Sequence, residues 1–163
     1  MKKTTSRNGF TLIELIIVMV ILGIMAAVAV PRYLDSIANA EASAEDAVIS
    51  AVEAGLKQFA NNSLLTSGRA EWPTNPFDAL ADKPAGYTED GNYPDVDGEW
   101  TFEYQNAMGG GDIMHQRADN TRWKWEYRFG ITDVMGNNID GNFVDADNAT
   151  IGSIGPREQI LND

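Results

Sequence analysis

The chain of 163 residues contains no cysteine. No disulfide can hold any of its loops, and cysteine usage gives no reading of the redox compartment. Basic residues are also scarce: 12 lysines and arginines stand against 24 acids, a net charge of −12. Such a polyanion does not hold nucleic acid through its general field. The charge instead favours solubility and mutual repulsion of folded copies. Histidine occurs once, at His115. It falls in Gln105–Thr121, a stretch containing Gly109-Gly110-Gly111 that is expected to be a long exposed loop with a solvated histidine. There is no phosphate-binding loop, no Ser–His–Asp arrangement and no paired acid–base site, so the chain is not expected to be an enzyme. Internal repeats are absent as well.

One long apolar run stands out against this background. Met1–Gly9 is short and polar, with Lys2, Lys3 and Arg7 and no acid. Phe10–Val30 follows, 21 residues that are apolar almost throughout and interrupted by a single charge, Glu14. As a helix it would span about 30 Å, the thickness of a hydrocarbon core. The basic residues ahead of it predict a cytoplasmic N-terminus, with the remainder of the chain across the membrane. A secretory signal peptide carries its cleavage site after the apolar stretch. Here the one processing-type junction, Gly9–Phe10, lies before it. A cut there keeps the apolar segment as a working part. It also removes three cations and takes the net charge from −12 to −15.

Gly9–Glu14 (GFTLIE), with Ile21–Asp35 (ILGIMAAVAVPRYLD) behind it, resembles the N-terminus of type IV pilins and type II secretion pseudopilins. The resemblance covers Asn8 to about Asp35 and implies a peptidase cut after Gly9 and N-methylation of Phe10. It further implies an α+β pilin fold, a long N-terminal helix packed on a small antiparallel sheet. The expected function is that of a structural subunit of a type IV pilus-like filament, polymerised through its N-terminal helix. The alternatives are a type II secretion pseudopilin and a low-copy minor pilin acting as an adhesion module. The implied partners are other copies of the chain, the prepilin peptidase, the inner-membrane assembly machinery and, before assembly, the membrane itself. The implied location is the inner membrane, with a periplasmic head, followed by an extracellular filament.

Three residues of the segment are expected to serve assembly: Glu14, Gly23 and Pro31. A carboxylate in a membrane span costs roughly 2.5–3.5 kcal/mol, and the helix dipole returns only about 0.3–1 kcal/mol. Glu14 therefore needs a cation, such as the amine of Phe10 on a neighbouring copy, or else it snorkels to the interface. Pro31 lacks the amide proton, and its ring clashes with the carbonyl of Ala27. With Gly23 it brackets either a stretch that unwinds in filaments or a simple kink.

Beyond Pro31 the pattern is amphipathic. Ile37, Ala44, Val48, Ala51, Val52, Leu56 and Phe59 fall at helical spacings, with Glu41, Glu45, Asp46 and Glu53 largely off the stripe. Glu53 and Lys57 form a favourable i,i+4 pair, and Asn61-Asn62-Ser63 is an expected stop. The expected divisions are a leader at 1–9, a membrane and filament-core helix at 10–30, its amphipathic half at 31–62, and a head at 63–163. In the head, Pro76–Asp82 is expected to form a short helix behind an Asn75 cap. Glu99–Tyr104 and Arg122–Phe129 alternate strictly, which predicts two strands with their rings inward. The acidic outer face of the first and the basic outer face of the second predict antiparallel neighbours. Short strands are expected near Asn142–Val144 and Asn148–Ile151. No cofactor is expected, with calcium the one candidate ion. Asp140, Asn142, Asp145, Asp147 and Asn148 offer it oxygens around Gly141, although the same residues are ordinary turn formers.

Overall fold

A computed structural model describes residues 9–89, 91–105, 109–139 and 151–161. The chain divides into two compact units, 1–43 and 44–163, and helix α1 (Leu12–Ser67) runs through both. In the first unit the helix is continuous across Gly23 and Pro31. Its side chains from Leu12 to Ser36 are all exposed; they are apolar throughout Leu15–Val30, and the helix is long and apolar enough to cross a membrane.

In the second unit the helix extends to Ser67, past the stop expected at Asn61–Ser63. The hydroxyl groups along the extension are satisfied on the helix's own carbonyls. Ser63 donates to the carbonyl of Ala60, Thr66 to that of Asn62 and Ser67 to that of Ser63. These bonds keep the polar residues inside the helical ladder. Gly68 then ends it, with φ at +74° and its amide on the Leu64 carbonyl at 3.0 Å. The exposed Glu53–Lys57 pair forms at 3.8 Å.

The head is α+β. Strands β2 (Trp100–Gln105), β3 (Gly110–Gln116), β4 (Arg122–Arg128) and β6 (Glu158–Ile160) form one antiparallel sheet in the order β2-β3-β4-β6. Strands β1 (Ala70–Trp72) and β5 (Gly130–Thr132) form a second, two-stranded antiparallel pair. The expected short helix is a 3-10 turn at Pro76–Ala79, shorter than predicted. The Asn75 side chain caps it by accepting from the amide of Phe77 at 3.0 Å. The core joins Ile49, Val52 and Leu56 of α1 to Phe77, Trp100, Phe102, Ile113, Trp125, Tyr127 and Phe129. Gly55 lets the helix come close to that turn, since a Cβ there would lie 2.7 Å from the carbonyl oxygen of Ala79.

Two expectations fail in the same place. Gln105–Thr121 is not an exposed loop, because it contains β3, which is buried along its whole length. Strands β2 and β4 are not neighbours, because β3 lies between them. Asp112 of β3 bridges them, accepting from Gln105 Nε2 of β2 and from Lys124 Nζ of β4, each at 3.2 Å. The inward assignment holds for Trp100, Phe102, Trp125, Tyr127 and Phe129, whereas Tyr104 is half exposed and stacks on Phe129. The helix stripe is also displaced. Its buried positions are Glu45, Ile49, Val52, Leu56 and Ala60, while Ala44, Ala51 and Phe59 face outward.

Trp125 sits centrally in this core, 3% exposed and stacked on Trp100 at 5.7 Å. Trp125→Ala should destabilise the head by about 3–5 kcal/mol, a large part of a small domain's stability. Thermal unfolding of the detergent-solubilised chain checks this, followed by near-ultraviolet circular dichroism. A loss below about 1 kcal/mol would mean that the indole is not a core anchor.

Candidate functional site: the N-terminal segment and a buried carboxylate

Gly9 and Phe10 precede the helix, and Phe10 is 92% exposed. Among the described residues, a Cβ on Gly9 would meet nothing within 4 Å. Thr11 and Glu14 form a capping box at the start of α1. The Thr11 amide and hydroxyl both donate to Glu14 Oε2 at 2.8 Å, and the Glu14 amide donates back to the Thr11 hydroxyl at 3.3 Å. The signal is legible in the sequence as Thr-x-x-Glu ahead of an apolar run. Glu14 thus satisfies donors that the first turn would otherwise leave open. Gly23 and Pro31 lie further along the same helix, and Gly23 has no neighbour within 4 Å of a built Cβ. These five residues are strung along one segment and do not converge on a pocket.

The head holds a second constellation, built from residues expected to be solvated. Glu45 is 0% exposed although it was expected off the buried stripe. His115 is buried rather than solvated. The His115 ring stacks on Trp100 at 4.3 Å and donates from Nδ1 to Glu45 Oε1 at 2.9 Å. An ionised carboxylate only accepts, so Nδ1 carries that proton. Arg117 grips the same carboxylate with two bonds, Nε to Oε1 at 2.7 Å and Nη2 to Oε2 at 2.5 Å. Arg157 adds Nη1 to Oε2 at 3.1 Å. The guanidinium groups of Arg117 and Arg157 both lie over the Trp123 ring. Burial pushes the Glu45 carboxyl up, but the bonds and charges of Arg117 and His115 outweigh it and hold the group at about 2, below its ordinary 4.5.

Glu45 is fully buried, and both of its oxygens accept hydrogen bonds. The constellation ties this part of α1 to β3, to the turn after it and to Arg157. Among the described residues, no group of three or more His, Cys, Asp or Glu could hold a metal. The expected calcium stretch, Asp140–Asn148, lies outside the described residues, as does the expected strand at Asn142–Val144. The strand expected at Asn148–Ile151 falls outside them except for Ile151, which lies in a turn.

Comparison with known proteins places the N-terminal segment. Residues 4–30 match the family described as the prokaryotic N-terminal methylation motif. A type IV major pilin protein of Neisseria gonorrhoeae is 42% identical over 105 residues, which is 64% of this chain and 55% of that protein. A fimbrial protein of Neisseria meningitidis serogroup A is 46% identical over 71 residues, 44% of this chain and 38% of the relative. A fimbrial protein of Pseudomonas aeruginosa is 37% identical over 84 residues, 52% of this chain and 51% of the relative. The aligned parts thus span roughly two fifths to just over half of these relatives' lengths. No solved structure matches. The chain thus carries the prokaryotic N-terminal methylation motif, and over these stretches it is similar to type IV pilins and fimbrial proteins.

Proposed function

We propose that this chain is the structural subunit of a type IV pilus-like filament. It would be cut after Gly9 and N-methylated at Phe10, held in the inner membrane by α1 with its head outside, and polymerised by packing of the N-terminal helices. The observation that carries this reading is an exposed apolar helix led by a basic peptide, within a matched methylation motif. The names of the relatives, fimbrial protein and type IV major pilin, support a fibre. The side chains of Leu12–Ser36 are open to lipid in the membrane and to neighbouring helices in a filament. Helices that leave lipid for one another gain from packing and from polar contacts that lipid cannot offer.

Glu14 supplies the polar contact. Its capping box keeps the carboxylate at the first turn, one turn from the amine that cleavage would create on Phe10. That amine stays positive after methylation and can meet Glu14 of an adjacent copy. Glutamine at position 14 changes charge but not shape, because it also closes a capping box. Glu14→Gln should insert in the membrane at least as well as the parent, and yet yield few fibres. Electron microscopy of sheared cell surfaces, with the membrane pool quantified alongside, makes the test. Parental fibre yield from Glu14→Gln would show that the carboxylate is not needed for docking. Absence of surface fibres from the parent chain, with assembly confined to the periplasm, would replace the pilus reading by the pseudopilus one.

A further inference from the structure

The aromatic core lies on one face of the four-stranded sheet, and the other face carries a cavity of about 300 Å³. Along that face the register sets two rows of residues, Gln105–Gly110–Arg128 and Glu103–Asp112–Glu126. The middle of the first row is a glycine. A Cβ there would lie 2.3 Å from the carbonyl oxygen of Tyr127, so the close approach of β3 to β4 excludes a side chain. Gln105 and Arg128 therefore flank a gap two strand spacings wide, about 10 Å. The backbone of Gly110 and Gly111 forms its floor, and Asp112, Lys124 and Glu126 complete the lining.

The lining leaves acceptors open. Asp112 is only 8% exposed, and its Oδ2 takes both of its bonds, from Gln105 and from Lys124. Among the described residues, Oδ1 of this nearly buried carboxylate accepts nothing. Glu126 meets Arg128 through Oε1, which leaves Oε2. The formal charges of the lining cancel, Lys124 and Arg128 against Asp112 and Glu126. A free cation would meet two fixed cations there, and a free anion two carboxylates. We propose that the cavity binds a neutral polyol of the size of one sugar ring. A hydroxyl group donates and accepts at once. It can donate to Asp112 Oδ1 or Glu126 Oε2 while it accepts from the Lys124 ammonium or the Gln105 amide. The volume is at the lower end of the ~300–1,000 Å³ of small-molecule clefts, and the polar lining sets this one apart from their mostly apolar walls.

Amide chemical shifts of the full chain, in micelles of a detergent without a sugar headgroup, test the site. Glucose and myo-inositol are the probes, with calcium chloride and sodium phosphate as ionic controls. At least one of the two polyols should move the Gly110 and Gly111 amides saturably while Gly55, on α1, stays in place. The salts at the same concentration should leave all three unmoved. Asp112→Asn should weaken binding of that polyol about tenfold or more, because the open oxygen loses its charge. Glu126 is about half exposed, so Glu126→Gln should fold even where Asp112→Asn does not, and it too should bind more weakly. No saturable shift with either polyol would overturn the proposal. A shift from calcium or phosphate as large as that from the polyol would overturn the neutral ligand. Parental affinity in Glu126→Gln, or in a folded Asp112→Asn, would show that the open carboxylate oxygens do not hold it.

Discussion

Glu45→Gln should cost the head about 3–5 kcal/mol, the range for breaking a buried ion pair from one side. The magnitude follows from what is left behind. Arg117 and His115 are nearly buried and point at the vacated charge, with Arg157 beside them. A neutral amide accepts fewer and weaker bonds, and its NH2 group would face donors. The same cluster sets a pH dependence. The Glu45 carboxyl lies at about 2 in the folded chain, against 4.5 unperturbed. A depressed carboxyl stabilises the fold fully above the unfolded value, so this contribution is present at neutral pH. It is lost as pH falls from about 4.5 towards 2, and amounts to about 3 kcal/mol. Thermal melts of parent and Glu45→Gln between pH 7 and 2.5 check both points. The parent should lose stability more steeply than the variant below pH 4.5, and the two curves should converge. A parallel offset at every pH would mean that the carboxylate is not the titrating group.

Gly9→Val should abolish filaments altogether. On the proposed reading a peptidase must close on the backbone at Gly9, where a branched side chain intrudes. Among the described residues the substitution is harmless, because a Cβ at Gly9 meets none of them within 4 Å and the residue precedes the helix. Any effect therefore reports on processing and not on folding. The expected result is a full-length membrane-held precursor, visible as a larger band, with no fibres on the surface. A chain starting at Phe10 in this variant would show that the side chain at position 9 is tolerated, and would move the requirement elsewhere in the motif.

The N-terminal helix and the two aromatic strands were legible because their patterns are local. An apolar run of 21 residues needs no partner to be recognised. Strict alternation at Trp100–Tyr104 and Trp123–Phe129 shows because one face carries rings and the other charges. Strand β3 has no such contrast. Gly110-Gly111-Asp112-Ile113-Met114-His115-Gln116 is covered on both faces, so its polar residues are buried with its apolar ones and the period disappears. The Glu45 constellation was hidden for a different reason. Its partners lie 70, 72 and 112 residues away in the chain, and no local pattern brings them together. One clue was available: Glu45 stands in register with Ile49, Val52 and Leu56, an acid on an otherwise apolar stripe. Shifting the stripe by one residue moved it from the buried side to the wet side. In the N-terminal segment the sequence showed Glu14 as a charge out of place, and the structure adds the cap that Thr11 and Glu14 build together.

The central claim is that the apolar helix, freed of its leader, is the working end of a fibre subunit. Mass spectrometry of the amino terminus in fibres sheared from cells making this chain tests it most directly. The account predicts fibres composed of chains beginning at Phe10, with one added methyl group on that amine. Fibres whose chains begin at Met1, or at any residue after the apolar run, would contradict it.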